Sequence, residues 1–374
     1  MITTTPRKNI PGLGIFLGIC LILIIVGLVF IYSSSSVYAF EKFGSSLYYV
    51  KRHIIGIIAG LIAFGFGLLL PVNLIKKFIP LGYLLSLGLT ALTLLPSFSN
   101  RIHGSSRWLQ LGGFSFQPSE LLKVCTVLYI AQFIAQRLYA HESFVKGFLP
   151  ILIILGLCAG VLLLQPDFGL TVTICINSII IMCIAHYHMR YLGFTIISCI
   201  PIVLLLVIMR TYRLRRILTF LNPWADPQGA GFQIIQSLIA IGSGGWFGVG
   251  IGQSKQKFFY LPMQHTDFIF SIIAEETGFI GALFVISLFI CLIFIGFKLA
   301  SKMNDTFAFF ATCGCLILIN LQAVINIAVA TGLAPTKGIG LPLVSYGNTS
   351  LVCTMGMIGF ITQCALRSKK NSIV

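Results

Sequence analysis

Only nine of the 374 residues are Asp or Glu, against 25 Lys or Arg, so any carboxylate chemistry must come from Glu41, Glu120, Glu142, Asp167, Asp226, Asp267, Glu275, Glu276 or Asp305. Asp267 is the most informative of these. It lies in Leu261-Pro262-Met263-Gln264-His265-Thr266-Asp267-Phe268-Ile269-Phe270, where a long polar segment runs into an apolar one. A carboxylate in that place has two uses. It caps a helix start or meets the positive end of the helix dipole, or it acts as a general base whose pKa is raised toward neutrality by the apolar residues that follow. Glu275 and Glu276 come about two helical turns later, at membrane depth, where ionisable groups face a cavity or a partner.

The cations gather in a few segments. Arg107-Trp108-Leu109-Gln110 precedes Phe116-Gln117-Pro118-Ser119-Glu120-Leu121-Leu122-Lys123. There, Pro followed by an acid is a helix start, and Glu120 with Lys123 is spaced as an i, i+3 pair at the lip of a polar cavity. Arg210, Arg213, Arg215 and Arg216 follow within seven residues, and Lys255, Lys257 and Lys337 complete the set. Such a face attracts an anion; lipid headgroups are the plainer ligand. Trp108, Trp224 and Trp246 lie in the same segments, as interface anchors or, for Trp108, as a platform for a sugar ring. The run Ser243-Gly244-Gly245-Trp246-Phe247-Gly248-Val249-Gly250-Ile251-Gly252 would let backbone N–H groups approach an anion, but it lacks the strand-turn-helix setting of a nucleotide loop. The eleven cysteines lie in apolar stretches without metal-ligand spacing.

What must position these groups is a membrane bundle. With 57% hydrophobic and 9% charged residues, no soluble surface is possible. Apolar runs fall near 13–31, 54–70, 79–96, 119–136, 148–164, 170–185, 192–209, 268–297, 306–330 and 346–366, the first an uncleaved anchor. The expected fold is therefore an all-α polytopic membrane protein of about ten crossings. It forms a single transmembrane domain over 1–374, with a cytoplasmic N-terminus at 1–12, functional extracytoplasmic loops at 97–118 and 210–267, and a cytoplasmic tail at 367–374. The larger loop falls between helices 7 and 8. With both termini cytoplasmic, 12 of the 25 bases lie inside and 13 outside. That outer excess runs against the positive-inside bias and calls for a functional anion. Twelve of the 13 outer bases sit in or beside 32–53, 97–123 and 210–264.

Five separated blocks then resemble a known family in order along nearly the whole chain. They are Arg107-Trp108 with Gln117-Pro118-Ser119-Glu120, Gln165-Pro166-Asp167, Gly252-Gln253-Ser254-Lys255-Gln256-Lys257, His265-Thr266-Asp267-Phe268, and Pro335-Thr336-Lys337-Gly338 to Ser345-Tyr346-Gly347. They look like those of the SEDS (shape, elongation, division and sporulation) glycosyltransferases of bacteria. Asn222-Pro223-Trp224-Ala225-Asp226-Pro227 and Gly252-Gln253-Ser254-Lys255-Gln256-Lys257 lean toward the FtsW-like division branch, and Ile239 to Gly245 also suits the RodA-like elongation branch. Asn348 stands where the family commonly has glycine.

The resemblance implies polymerisation of lipid II into glycan strands for septal wall synthesis and cell division, with release of undecaprenyl pyrophosphate, at the bacterial cytoplasmic (inner) membrane. It makes Asp267 the catalytic base. Arg107, Trp108, Gln117, Glu120, Lys123, Arg213, Arg216, Lys255, His265, Lys337 and Ser345 are the candidate substrate-binding residues. The implied partners are lipid II and undecaprenyl-linked glycan, a class B penicillin-binding protein transpeptidase, other division or elongation membrane proteins and membrane lipids, with no nucleic acid. The sequence names no definite cofactor and leaves stimulation by Mg²⁺ or Mn²⁺ open, since a divalent ion could supplement the basic residues at the pyrophosphate, but no carboxylate cluster predicts a dedicated metal site. The alternatives are an elongation polymerase of the same chemistry, a lipid II flippase, and a non-catalytic scaffold for a transpeptidase.

Overall fold

The computed structural model describes residues 10, 12–95, 107–111, 114–137, 143–209, 211–257 and 261–370. Arg7, Lys8, Arg101, Glu142 and Arg210 lie outside the described residues, as do most of 1–12, 97–106 of the first functional loop, and 371–374 of the tail. The helices are α1 (Leu13–Phe43), α2 (Tyr48–Leu69), α3 (Val72–Leu92), α4 (Pro118–Gln136), α5 (Leu149–Leu164, entered through a π turn at Phe144–Phe148), α6 (Phe168–Ile184), α7 (Met189–Ile208), α8 (Thr211–Leu221), α9 (Phe232–Ser243), α10 (Ile269–Ala300), α11 (Thr306–Ala330) and α12 (Asn348–Lys370). A short antiparallel hairpin, β1 (Leu109–Leu111) with β2 (Phe114–Phe116), pairs Leu109 with Phe116.

Among the described residues nine helices are long and apolar enough to cross a membrane, and α6, at 17 residues, is a shorter tenth. The all-α polytopic expectation therefore holds, helix for helix. The expected loop 210–267, between α7 and α10, departs from it, its described part folding into α8, a 3₁₀ turn at Pro223–Ala225, and α9. In α8 the arginines are spaced through apolar residues at helical period, so a surface helix forms without a long apolar run. In α9 the apolar run is 12 residues, too short to read as a crossing. It is buried against α10 and α11 through Ser237, whose hydroxyl meets that of Ser271 at 2.6 Å and bonds to the carbonyl of Ala330 at 2.6 Å.

The core is built around α11, with α4 and α12 as the next most enclosed helices. Small residues set the closest helix pair. A Cβ on Gly67 would stand 2.5 Å from the carbonyl oxygen of Gly356, and one on Gly359 would stand 2.2 Å from that of Phe64, so α2 and α12 touch backbone to backbone. By contrast α7 is largely exposed along its length.

α10 was expected as one continuous span and is broken at Gly278 (φ 69°, ψ −166°). The glycine run packs into that break. Val249 and Gly250 donate N–H groups to the carbonyls of Glu275 and Glu276 at 3.0 and 3.1 Å, while Phe279 donates to Gly245 at 2.8 Å. A Cβ on Gly248 would lie 2.2 Å from the Glu276 oxygen. The glycines are thus explained by backbone contact with a kinked helix, and the N–H groups of Val249 and Gly250 are spent on its orphaned carbonyls rather than offered to an anion.

Candidate active site

Four segments expected on one face of the membrane meet at one end of the bundle. The loop before β1 brings Arg107, whose guanidinium donates to the Pro166 carbonyl at 2.7 Å and lies 3.5 Å from the Asp167 carboxylate. Asp167 is held by its own helix, accepting the N–H of Leu170 at 3.2 Å as the N-cap of α6. Lys337, from the loop between α11 and α12, lies over the same turn and donates to the Gly169 carbonyl at 3.1 Å. Burial pulls the Lys337 ammonium down to about 8, with Asp167 opposing the shift. From α8, Arg216 reaches the carbonyl of the neighbouring Thr336 at 3.0 Å.

Asp267 stands among these cations. It is partly buried, and a Cβ on Gly338 would come within 3.3 Å of its Oδ2, so the Lys337-Gly338 turn lies directly over the carboxylate. The helix-capping use is not realised, because α10 begins after Phe268 and has no side-chain cap. Among the described residues no side chain hydrogen-bonds the Asp267 carboxylate; Arg216 and Arg107 act on it through space. Burial pushes the carboxyl up to about 6, against those two cations. A carboxylate in this state is a base near neutral pH, facing positive charge that an anionic leaving group would meet.

The loop that holds Asp267 is fixed by its backbone. The Met263 carbonyl accepts N–H groups from Thr266 and Asp267, both at 3.1 Å, and Met263 has a φ of 56°, unusual for a residue with a Cβ. Asn326 of α11 donates to the carbonyls of Asp267 and Ile339, both at 2.7 Å. Ser345 donates to the Thr266 carbonyl at 2.6 Å and accepts the N–H of Leu341 at 2.7 Å, so its hydroxyl is engaged by the scaffold.

Of the sequence-derived candidates, Asp267, Arg107, Arg216 and Lys337 are brought together. The others sit elsewhere or do other work. Arg213 is buried, donating to Leu206 at 2.9 Å with its guanidinium 5.5 Å from the Phe168 ring, and so anchors α8. Lys123 is fully buried and paired to Glu120 at 2.5 Å. Gln117 joins the starts of α4 and α12, its N–H donating to the Thr349 hydroxyl at 3.3 Å. Trp108 is half-buried at the entry to β1. Lys255 is exposed, with its backbone N–H held by Glu275 at 2.9 Å. His265 is buried against Tyr49 at 4.4 Å between ring centres, and burial lowers its pKa to about 4, leaving a neutral imidazole at pH 7. Sequence reasoning missed Asn326, although a polar side chain inside an apolar run was its signal. Among the described residues no group of three His, Cys, Asp or Glu side chains could hold a metal.

Known proteins share this arrangement of chain. The "Cell cycle protein" family that joins FtsW, RodA and SpoVE matches residues 14–370. A "Probable peptidoglycan glycosyltransferase FtsW" of Geobacter sp. (strain M18) is 41% identical over 357 residues, 95% of this chain and 97% of the relative. Stage V sporulation protein E of Bacillus subtilis (strain 168) is 38% identical over 98% of this chain and all of its own length. A chain from the structure described as "Structural coordination of polymerization and crosslinking by a peptidoglycan synthase complex" superposes with a TM-score of 0.79 at 26% identity, covering 97% of this chain and 99% of that one. The rod shape determining protein RodA of Thermus thermophilus shares the fold, with a TM-score of 0.69 at 24% identity over 94% of this chain and 95% of its own. A match spanning every helix from α1 to α12 places the chain in the FtsW/RodA/SpoVE family of cell cycle proteins.

Proposed function

We propose that this protein is a peptidoglycan glycosyltransferase that polymerises lipid II at the bacterial cytoplasmic membrane, with Asp267 as the base. The observation that carries the reading is the partly buried, uncapped Asp267 carboxylate, raised to about 6, with the charges of Arg216 and Arg107 acting on it and the Lys337-Gly338 turn over it. The acceptor GlcNAc 4-hydroxyl gives its proton to Asp267 as its oxygen bonds to the anomeric carbon of the MurNAc at the end of the growing glycan. The bond from that carbon to undecaprenyl pyrophosphate breaks, and the departing oxygen takes the electron pair. Charge then grows on the pyrophosphate, where fixed guanidinium and ammonium groups stabilise the transition state more than the ground state.

Identity with FtsW-named relatives over nearly the full chain supports a division role at the septum in preference to elongation. The structural likeness to a chain of a complex coordinating polymerisation and crosslinking supports a transpeptidase partner. Both termini are cytoplasmic, so the Asp267 end of the bundle faces the wall.

The test is glycan synthesis from purified lipid II in detergent, where no flipping is needed, by the protein with its cognate transpeptidase. Polymer should form with the wild type, and Asp267→Asn should reduce its rate by about 1000-fold, within the range for loss of a general base. Normal polymer from the Asn variant would sink the assignment; no polymer from the wild type would favour a flippase or scaffold.

A further inference from the structure

Glu275 and Glu276 lie in α10, about two helical turns beyond Asp267, and the proposed chemistry does not use them. Both are nearly inaccessible. Two adjacent acids at this depth are expensive unless their oxygens find donors, and here each of the four has a donor within hydrogen-bond distance. Glu275 accepts the Ser254 hydroxyl at 2.5 Å and the Lys255 N–H at 2.9 Å. The single Ser33 O–H is shared between the two Glu276 oxygens, at 2.6 and 2.8 Å, and Glu276 also accepts the Ser254 N–H at 3.3 Å, with the Lys257 ammonium 4.0 Å away. The two side chains therefore tie three pieces of chain together: α10, α1 through Ser33, and the turn at 254–257.

That turn is bonded directly to the segment that ends in Asp267. The Gln256 carbonyl accepts the N–H of Leu261 at 3.2 Å, and the Gln264 amide donates to the Lys257 carbonyl at 3.1 Å and to the Ser34 carbonyl of α1 at 2.7 Å. Three residues after Gln264 comes Asp267, and two residues after Asp267 α10 starts and carries the chain back to the glutamates. The described parts of the chain here, 254–257 and 261–276, are thus bonded to each other into a ring of contacts, clasped at Glu275 and Glu276, with Asp267 between the two ties. On the far side of the clasp the glycine run fills the α10 break.

The geometry points to Glu275 and Glu276 as positioning residues that hold the ring closed and so fix Asp267 beneath Lys337 and Gly338. The inference rests on the glycosyltransferase reading for its kinetic consequence, and on the fold alone for its structural one. Loss of a hydrogen bond to a charged acceptor corresponds to about 10- to 100-fold in a rate that depends on it.

The experiment compares Glu275→Ala, Glu276→Ala, Glu275→Gln, Glu276→Gln and Ser33→Ala in the full chain with its transpeptidase. It measures lipid II polymerisation and backbone hydrogen exchange at 261–268. The Ala variants should lower kcat by about 10- to 100-fold with KM for lipid II changed less than about threefold, and should exchange faster at 261–268. The Gln variants keep an acceptor oxygen and should recover most of both, with Ser33→Ala falling between. If the Ala variants do not fold, the Gln variants and Ser33→Ala decide. Unchanged exchange overturns the inference whatever the activity, and so does faster exchange with full activity. A wild type that makes no glycan removes the glycosyltransferase reading and leaves the clasp to be judged by exchange alone.

Discussion

Asp267 and Asp305 each precede a long membrane helix, and the two ends of the bundle use them in opposite ways. At one end Asp305 caps α11, accepting the Phe307 N–H at 3.0 Å, and pairs with Lys76 at 2.7 Å. Burial alone would raise its carboxyl, but the Lys76 bond and charge, with the helix N–H groups, hold it below the usual carboxylate range. At the other end Asp267 caps nothing, and burial dominates, taking it up to about 6. The neighbouring cations differ in the same sense. Arg107, Arg216 and Lys337 are anchored on the carbonyls of Pro166, Thr336 and Gly169, which aim the charges, while Asp167, 3.5 Å from Arg107, offsets part of the charge of Arg107 and Lys337. A carbonyl fixes a cation and leaves its field available; a carboxylate consumes it. One end is therefore built to stay as it is, and the other to meet an anion.

The comparison breaks most readily on activity. Asp267→Asn should cost about three orders of magnitude in polymerisation, whereas Asp305→Asn should leave the rate per folded molecule within about twofold, its effects being confined to stability. Next in size is Arg107→Ala, expected to cost about 100-fold in kcat, as for removal of a preorganised group that stabilises developing charge. Because Arg107 also holds the Asp267 carboxyl down, its loss should move the acidic limb of the pH-rate profile upward.

That profile is itself a test. The base must be ionised, so kcat/KM should rise as pH increases through about 6, and it should fall as pH increases through about 8, where Lys337 loses its charge. Lys337→Arg should flatten the alkaline limb and leave the acidic one in place.

Stability should show the opposite signs at the two aspartates. The folded protein holds the Asp267 proton more tightly than the unfolded chain does, so this stabilisation is lost as pH rises from about 4 to about 6 and the loss is constant above that. Asp267→Asn should therefore raise the melting temperature at pH 7.5, by an amount corresponding to about 1 kcal/mol. Asp305 has a lowered pKa, so its contribution is present above the ordinary carboxylate value and is lost as pH falls through the lowered one. Asp305→Ala should lower the melting temperature at pH 7.5, by about 1 kcal/mol for the lost cap.

Much of this was legible in the chain, because hydropathy reports burial in lipid as directly as it does anything. The apolar runs map onto α1 to α7 and α10 to α12, and Pro118 with Glu120 marked the start of α4 as observed. Elements stabilised by contact rather than by lipid were not legible. The α9 helix is short and depends on Ser237 meeting α10 and α11. The break at Gly278 exists because a glycine run 30 residues earlier fills it, a partnership no local pattern announces. At the site, scarcity of acids singled out Asp267 early. Spacing could not separate the cations that surround it from Lys123, which Glu120 neutralises in the core, or from Arg213, which pins α8 to the end of α7.

The smallest expected effect sharpens the contrast furthest. Lys76→Ala removes the partner of Asp305, yet both side chains are about one-third exposed, so solvent already screens the pair. The cap on Phe307 does not depend on Lys76 and should survive. The loss should then be about 0.2 to 1 kcal/mol in chemical or thermal unfolding of the detergent-solubilised protein, with no change in glycan synthesis. Moving the same change to the other end, as Arg107→Ala, removes a cation that also sits beside a carboxylate, Asp167 at 3.5 Å. If the two substitutions cost the same in stability and neither alters catalysis, the ends are not differently built, and Asp267 is only another helix-start carboxylate. A small loss of stability at Lys76 beside a large loss of rate at Arg107 is what charge anchored mainly on a carbonyl, as opposed to charge held by a close carboxylate, requires.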